Sequence, residues 1–217
     1  MQVIRFFNKE NFGNSYAVVE GDKFVLIDCT KTPEYVASRI GDICVNGIVV
    51  KGKDDSKILQ CVGVFVTHGH YDHFSNLEDW LRLNVPVFAD ANAFKKFEDI
   101  ETNCSSSFDK AVQVFVPKNL QNELNDGQIL NILGVDISVH KLSGHTDCSI
   151  ALEIEDNLFV GDIIFAGNAY GRCDLPTGSV QEMGKTLQKI NEMRDELIVK
   201  PGHGLGFRLG DSKPFGI

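Results

Sequence analysis

The stretch Thr67-His68-Gly69-His70-Tyr71-Asp72-His73 decides the fold and the chemistry expected of this chain. It follows the apolar run Val62-Gly63-Val64-Phe65-Val66 and holds three histidines and an aspartate within six residues. These four side chains suit neither one face of a strand nor one stripe of a helix. A turn at the end of a buried strand can instead converge them on one point, and imidazole with carboxylate is a ligand set for zinc or a similar metal. We therefore predict a metal site in this loop.

The composition favours one domain that acts on a small molecule. The chain has 217 residues, of which 43% are hydrophobic and fifteen are Phe, so we predict a single domain over 1–217 with one substantial core. The net charge is −9, and Lys and Arg are not clustered. A nucleic-acid partner is therefore not expected, because binding phosphates requires clustered cations.

The N-terminus and the cysteines predict a cytoplasmic protein. The apolar run at 1–7 is too short for a signal peptide, and no run approaches 18 apolar residues, so we expect no membrane association. The six cysteines form no Cys-x-x-Cys pair. In a chain of this size they are predicted to be reduced thiols rather than a disulfide framework.

In the first half of the chain, short apolar runs alternate with helical patterns. Runs rich in β-branched and aromatic residues predict strands at 3–7, 15–20, 23–28, 62–66 and 85–88. One helix is predicted after the N-cap Thr32, with an apolar stripe that reaches Ile43, and another after the capping box Ser75-Asn76-Leu77-Glu78. A third helix is predicted at 90–99. Residues 44–60 show no clear period, and a short strand at 47–50 is left open.

The second half continues the alternation. Strands are predicted at 128–132, 135–140, 149–154, 158–161 and 197–200, and the capping box Ser179-Val180-Gln181-Glu182 opens a helix. The stretches 101–124 and 163–178 are irregular. We predict two sheets with helices outside, a sandwich with αβ/βα layering.

Three further loops offer metal ligands, and each lies beside a predicted strand. His145 lies in Ser143-Gly144-His145-Thr146-Asp147, Asp162 ends a hairpin, and His203 follows the last strand. If these strand ends share one edge with the His68 loop, their side chains meet there. His140 lies inside a strand, and we interpret it as structural.

The motifs carry a family resemblance that covers nearly the whole chain. Four of them are similar, in order, to the successive motifs of the metallo-β-lactamase superfamily: Thr67 to His73, Gly144-His145-Thr146, Gly161-Asp162 and Pro201-Gly202-His203-Gly204. Within it the chain most resembles the glyoxalase II-like (hydroxyacylglutathione hydrolase-like) group, of which Gly171-Arg172-Cys173-Asp174-Leu175-Pro176 is typical. This resemblance implies an α+β, four-layer αβ/βα sandwich of the metallo-β-lactamase type.

The resemblance also implies two divalent metal ions. Zinc is the expected metal, and iron and manganese are the alternatives. The implied ligands are His68, His70 and His145 for one ion and Asp72, His73 and His203 for the other, with Asp162 bridging. Two such ions lower the pKa of a bridging water to about 7, which supplies hydroxide at neutral pH. Asp72 is implied to orient that hydroxide in addition to binding metal.

The function implied is a thioesterase of glyoxalase II-like type that acts on a small-molecule thioester or ester. One alternative is a persulfide dioxygenase with a single iron on His68, His145 and Asp162, and another is a lactonase or phosphodiesterase. Arg172 and Tyr170 are candidates for substrate contact, although Arg172 could instead anchor its loop to Asp174. True glyoxalase II has an additional C-terminal helical region, whereas only 205–217 follow the last ligand motif here, so we expect a short, single-domain member.

Overall fold

The computed structural model describes residues 1–10, 13–54 and 57–216. Its strands form two mixed sheets, of eight and six strands, and one small hairpin. The first sheet consists of β1 (Gln2–Phe7), β2 (Asn14–Glu20), β3 (Lys23–Ile27), β4 (Asp42–Val45), β5 (Ile48–Val50), β6 (Ile58–Phe65), β7 (Val87–Ala89) and β8 (Gln121–Glu123). Their order is β1-β2-β3-β6-β4-β5, with β7 beside the end of β6 and β8 beside β7.

The second sheet comes from the second half of the chain. It begins with β9 (Ile129–Asn131), β10 (Asp136–Lys141), β11 (Ile150–Ile154) and β12 (Asn157–Gly161). A separate hairpin follows, formed by β13 (Ile164–Phe165) and β14 (Ala169–Tyr170). The last strands, β15 (Ile198–Pro201) and β16 (Phe207–Arg208), complete the order β16-β15-β12-β11-β10-β9.

Four α-helices of the described ranges lie outside the sheets, and three of them begin at side-chain caps. They are α1 (Pro33–Ile40), α2 (Leu77–Leu81), α3 (Ala91–Phe97) and α4 (Val180–Glu192). Thr32, Asp90 and Ser179 each accept a hydrogen bond from a backbone N–H in the first turn of α1, α3 and α4. Such caps satisfy amides that have no partner inside the helix. Short 3₁₀ turns lie at Tyr71–His73, Ser106–Phe108, Lys118–Leu120 and Leu209–Asp211.

Alternation along the strands produces the layers. In β3, Phe24 and Leu26 pack among the first three helices, whereas Val25 and Ile27 face the other sheet. In β12, Phe159 faces the first sheet, and its neighbours pack with α4. Successive side chains of a strand point to opposite faces, so each sheet is buried on both sides. The four layers are helices, sheet, sheet and helix, which confirms the predicted αβ/βα sandwich.

Two parallel strand pairs determine where the loops meet. Strands β3 and β6 run parallel in the first sheet, and β12 and β15 run parallel in the second. The carboxyl ends of parallel neighbours lie at the same edge. The sheets are joined at this edge by Tyr16, whose hydroxyl donates to the carbonyl of Pro201 at 2.8 Å.

Several predicted boundaries are wrong in the first half. Helix α1 ends at Ile40 because Gly41 adopts a φ of +104°, and Ile43 is a buried residue of β4. Strand β6 begins at Ile58, four residues before the predicted start, and its first half pairs with β4. The open alternative of a strand at 47–50 corresponds to β5.

The first capping box is also wrong. Helix α2 begins at Leu77 with Asn76 as its N-cap, and no side chain caps it. The hydroxyl of Ser75 lies 3.5 Å from Oδ1 of Asn76, to which it donates, instead of accepting from the N–H of Glu78. The second capping box is confirmed, since Ser179 Oγ accepts from the N–H of Glu182 at 3.2 Å.

The strands predicted in the second half are confirmed to within one residue at each end. All six cysteines are free thiols. In the described ranges, no helix is both long enough and apolar enough to cross a bilayer. The single domain over 1–217 and the cytoplasmic location stay predictions.

Candidate metal centre

The His68 loop leaves the carboxyl end of β6 in the first sheet. His68, His70 and His73 in this loop are at most 5% exposed. The 3₁₀ turn Tyr71–His73 reverses the chain, which brings side chains from both ends of the motif to the same side. A buried turn therefore converges the ligand-type residues, as the spacing of the motif predicts.

The later loops arrive from the second sheet. Asp162 follows β12 and His203 follows β15, and the N–H of Gly202 donates to the carbonyl of Gly161 at 2.7 Å. His145 lies on the connection from β10 to β11, and the N–H of Ile150 at the start of β11 donates to the carbonyl of Thr67 at 3.0 Å. Both sheets thus contribute to one site between their edges.

Three histidines form a first group, which we name the His68 cluster: His68, His70 and His145. Nε2 of His68 lies 3.2 Å from Nδ1 of His70, and Nε2 of His145 lies 2.9 Å from the same atom. Two nitrogens on one tetrahedral zinc ion are about 3.3 Å apart when each bond is about 2.0 Å. These two separations suit one shared ion, and all three nitrogens lie within 4.8 Å of one another.

A second group, named the His203 cluster, consists of Asp72, His73 and His203. Nε2 of His203 lies 3.1 Å from Oδ2 of Asp72, and Nε2 of His73 lies 3.9 Å from the same oxygen. Asp162 stands between the clusters. Its Oδ2 is 3.3 Å from Nε2 of His203 and 3.8 Å from Nε2 of His145, and its Oδ1 is 3.3 Å from Nε2 of His73.

Burial keeps the His68 cluster neutral. It lowers the pKa of His68 well below its ordinary value, with a further contribution from the neighbouring His73. Burial also lowers the pKa of His70, to about 3, and that of His145. The three rings are therefore uncharged at neutral pH, which is the form that binds a cation.

The His203 cluster has the opposite electrostatics. Burial alone lowers the pKa of His73, but the charges of Asp162, Asp28 and Asp72 raise it well above its ordinary value. Burial likewise opposes the hydrogen bonds to Asp162 and Asp72 that raise the pKa of His203 to about 10. Burial raises the pKa values of Asp72 and Asp162, but the charge of His73 and the hydrogen bonds with His203 together outweigh burial, so both pKa values are lowered. Without metal, protons therefore balance the carboxylate charge here.

Two buried polar atoms at the site show whether its residues fit a metal ion. Within the described residues, Nε2 of His73 and Oδ1 of Asp162 have no hydrogen-bond partner, although they lie 3.3 Å apart. Buried polar atoms without partners are rare in proteins. A cation between a neutral imidazole and a carboxylate satisfies both atoms, and this donor set suits divalent zinc or iron. The residues present fit a divalent ion.

Hydrogen bonds behind the clusters orient the rings. Oγ1 of Thr67 donates to Oδ2 of Asp28 at 3.0 Å and lies 3.2 Å from Nδ1 of His68. Nδ1 of His145 donates to the carbonyl of Arg172 at 2.8 Å. A proton on each Nδ1 leaves Nε2 with its lone pair directed into the site.

Asp28 is the site residue that the sequence interpretation missed. It is buried, with a φ of +55°, and it accepts hydrogen bonds from the N–H of Thr67 and from Nδ1 of His73. Its signal is the one that identified Asp162, an aspartate at the end of an apolar strand. The strand predicted at 23–28 includes it as the last residue, so the pattern alone assigns it no separate role.

A cleft of about 530 Å³ opens above the clusters. Its described lining consists of Glu10, His70, Tyr71, Asp72, Cys104, Phe108, His145, Asp162, Phe165, Gly171, Arg172, Leu175 and His203. The seven predicted ligands therefore lie in or directly beneath one cavity. His140 lies elsewhere, in β10, where its Nε2 is 3.1 Å from Oε2 of Glu153.

The predicted substrate contacts have mixed positions. Arg172 lines the cleft, but its guanidinium donates two hydrogen bonds of 2.7 Å to Asp174. This contact agrees with the alternative that Arg172 anchors its loop to Asp174. Tyr170 packs beside the hydrophobic cluster under α4 and is not among the lining residues. Cys148 is fully buried and is not among the lining residues.

The sequence has counterparts among known families and proteins. A family model described as the metallo-β-lactamase superfamily matches residues 8–203. A probable metallo-hydrolase of Methanocaldococcus jannaschii is 30% identical over 209 residues, which cover 93% of this chain and 91% of the relative.

Two other relatives have names that include a substrate. An acyl-coenzyme A thioesterase of Homo sapiens is 26% identical, with 92% of this chain and 75% of the relative covered. A hydroxyacylglutathione hydrolase of Vibrio vulnificus is 28% identical, with 64% of this chain and 47% of the relative covered.

The fold has counterparts among solved structures. A crystal structure of a protein in a di-iron-bound form superposes with a TM-score of 0.77 at 24% identity, covering 96% of both chains. At this identity the likeness concerns the fold alone.

Proposed function

Since the chain belongs to the metallo-β-lactamase superfamily, we propose that it is a hydrolase that uses two divalent metal ions to cleave thioesters. The observation that carries this proposal is the position of Asp162. Its two oxygens lie within 3.3 Å of His73 and His203 and 3.8 Å of His145, so one carboxylate joins both clusters. A shared carboxylate supports two neighbouring ions rather than two separate structural sites.

Each cluster would hold one ion, with Asp162 contributing to both. When bound, two such ions supply a nucleophile from water and polarise the substrate carbonyl. Asp72 lines the cleft with its carboxylate, which can accept a hydrogen bond from the attacking water and orient it. We assign Asp72 this catalytic role in addition to metal binding.

The cleft suits a leaving group that needs no proton. All three lining histidines belong to the clusters, and no lysine lines the described part of the cleft. Tyr71 and Cys104 also line it, but burial raises the pKa values of both, which makes them weaker acids. A thiol has a pKa of about 8.5, so it can depart as the thiolate, whereas an alkoxide or amine anion needs an acid. This contrast favours a thioester over an ester or amide. The names of the human and Vibrio vulnificus relatives support the same class.

A second complete cluster supports two ions over one. A persulfide dioxygenase with one iron on His68, His145 and Asp162 would leave Asp72, His73 and His203 without a role, although all three lie in one group. Finding one iron per chain, with oxygen consumed on a persulfide, would replace the hydrolase proposal. Zinc, iron and manganese are separated by metal analysis of the purified protein.

We also propose that the substrate is a small molecule and that the protein is cytoplasmic. The net charge of −9 supports the first, because it disfavours nucleic acid. Six free thiols support the second, because thiols stay reduced in the cytosol.

The test is metal content together with hydrolysis of a substrate panel. The panel contains S-lactoylglutathione, simple acyl thioesters, a lactone and a phosphodiester. We expect about two ions per chain and a preference for thioesters, with activity lost in His68→Ala and Asp162→Ala. His140→Ala is the matched control, because it removes a histidine outside the clusters. A metal-loaded protein that cleaves no thioester, or full activity in His68→Ala, would refute the proposal.

A further inference from the structure

The cleft has two unlike sides. Its floor is made of cluster ligands, whereas its wall is apolar and contains Tyr71, Phe108, Phe165 and Leu175. The Phe108 side chain is 62% exposed, and its ring lies 5.5 Å from that of Tyr71 at an angle of 47°. A concave site with an apolar wall and a few convergent polar groups is typical of small-molecule binding.

The loop that carries Phe108 is held in place by its own backbone. The N–H groups of Phe108 and Lys110 both donate to the carbonyl of Ser105, at 3.1 and 3.0 Å. The N–H of Val112 donates to Ser105 Oγ at 3.2 Å. The ring is therefore presented to the cleft by an ordered turn, so little conformational freedom is lost when a ligand packs against it.

The four wall residues Tyr71, Phe108, Phe165 and Leu175 carry no charged side chain. Among the described lining residues, Arg172 is the one cation outside the clusters, and Asp174 already accepts both of its hydrogen bonds. Glu10 adds a negative charge to the same lining. Lys110 is not among the lining residues, and its Nζ lies 5.3 Å from the centre of the Tyr71 ring. A carboxylate or phosphate packed on the apolar side chains of the wall would lose hydration there, whereas an apolar group would not.

We propose that this wall binds the acyl group of the substrate and that the acyl group is uncharged and apolar. Apolar acyl groups such as butyryl, hexanoyl or phenylacetyl would be preferred to hydroxyacyl groups such as lactoyl. A hydroxyl loses hydration against Phe108, Phe165 and Leu175, and among the four wall residues Tyr71 alone carries a polar side-chain group. This assignment rests on the proposed thioesterase function. It makes Phe108 a specificity-determining residue.

The first experiment is a kinetic series on the zinc-loaded protein. The substrates are N-acetylcysteamine thioesters of acetate, butyrate, hexanoate, phenylacetate and lactate, which share one leaving group. We expect kcat/KM to rise about fourfold for each methylene that is fully buried, with lactoyl below butyryl. In Phe108→Ala the rise should be largely lost.

The chain offers a matched control. Phe115 is 68% exposed and does not line the cleft, so Phe115→Ala makes the same chemical change at a similarly exposed position. We expect it to keep the wild-type dependence on chain length. If kcat/KM did not depend on chain length in the wild type, or rose equally with chain length in Phe108→Ala and Phe115→Ala, the assignment of the wall would be overturned.

The second experiment separates this inference from the proposed function. Calorimetry measures binding of the free acids (acetate, butyrate, hexanoate and phenylacetate) to the zinc-loaded protein without any hydrolysis. Affinity should rise with chain length in the wild type and in Phe115→Ala but not in Phe108→Ala. If the acids follow this pattern and no thioester is cleaved, the wall assignment stands and the thioesterase proposal fails. If thioesters are cleaved without any effect of chain length, the thioesterase proposal stands and the wall assignment fails.

Discussion

Nδ1 of His73 donates a 2.7 Å hydrogen bond to Oδ2 of Asp28, so an aspartate at the end of β3 fixes a ring of the His203 cluster. The same carboxylate accepts from the backbone N–H and the hydroxyl of Thr67, at 2.8 and 3.0 Å. Thr67 lies next to His68. One buried side chain therefore supports both clusters from outside, as partners of metal ligands commonly do.

Asp28→Asn should weaken metal binding without removing a ligand. An amide accepts through one oxygen only, so it cannot receive all three hydrogen bonds that the carboxylate receives. We expect metal affinity to fall by about 10- to 100-fold, measured by competition with a chromogenic chelator. Asp109→Asn, at an exposed loop position, is the control. Unchanged affinity in Asp28→Asn would show that Asp28 does not support the ligands.

Metal uptake by the His203 cluster should depend on pH. The pKa of His203 is raised to about 10, so below that pH the metal-free protein holds a proton that must leave before an ion binds. Lowering the pH therefore weakens binding here, and raising it strengthens binding until about pH 10. Metal binding by the His68 cluster should change little around neutral pH, because burial lowers the pKa values of its histidines.

Calorimetric zinc titrations at pH 7.5 in two buffers of different ionisation enthalpy measure the protons released. We expect zinc binding to the His68 cluster to release almost no protons and zinc binding to the His203 cluster to release at least one. In His203→Gln the total number of protons released per chain should fall by about one. Equal release in both steps would contradict the assignment of protons to the His203 cluster.

The sequence was informative where ligand loops follow strongly apolar strands. The positions of His68, His145, Asp162 and His203 beside strand ends predicted that their loops meet, and the structure brings these loops together. The parallel pairings β3–β6 and β12–β15, which create the common edge, could not be derived from local patterns. They depend on contacts between residues far apart in the chain.

The irregular stretches show where local patterns fail. Residues 101–124 have no period, yet backbone hydrogen bonds to Ser105 hold Phe108 at the cleft. The structure buries Lys96 of α3 at 5% exposure. Burial of a lysine needs a tertiary partner, which no helical pattern can reveal.

Gly202→Ala should disrupt the centre through its methyl group alone. A Cβ at this position would lie 2.3 Å from Oδ1 of Asp162 and 2.4 Å from Cε1 of His73. Neither group can move without leaving its cluster, and the overpacking should cost about 1–3 kcal/mol of folding stability. We expect metal analysis to show less than two ions per chain. Gly216→Ala, whose Cβ would have no neighbour within 4 Å, should retain full metal content.

Lys96 connects the two loops that supply the His68 cluster. Its Nζ lies 2.6 Å from Oδ1 of Asp147, two residues after His145, and its stem packs on Gly69, where a Cβ would be 2.7 Å from Lys96 Cβ and Cδ. Lys96→Met keeps most of this stem and removes the charge, whereas Lys96→Ala removes both.

Because the Asp147 side chain is 43% exposed, solvent weakens the ion pair, and the stem should contribute more than the charge. We expect the free energy of unfolding in urea to fall by about 1 kcal/mol in Lys96→Met and by about 2–3 kcal/mol in Lys96→Ala. Lys95→Ala changes an exposed lysine of the same helix and should stay within about 0.5 kcal/mol of wild type. Equal losses in the Met and Ala variants would mean that the charge, and not the stem packed on Gly69, holds the two loops together.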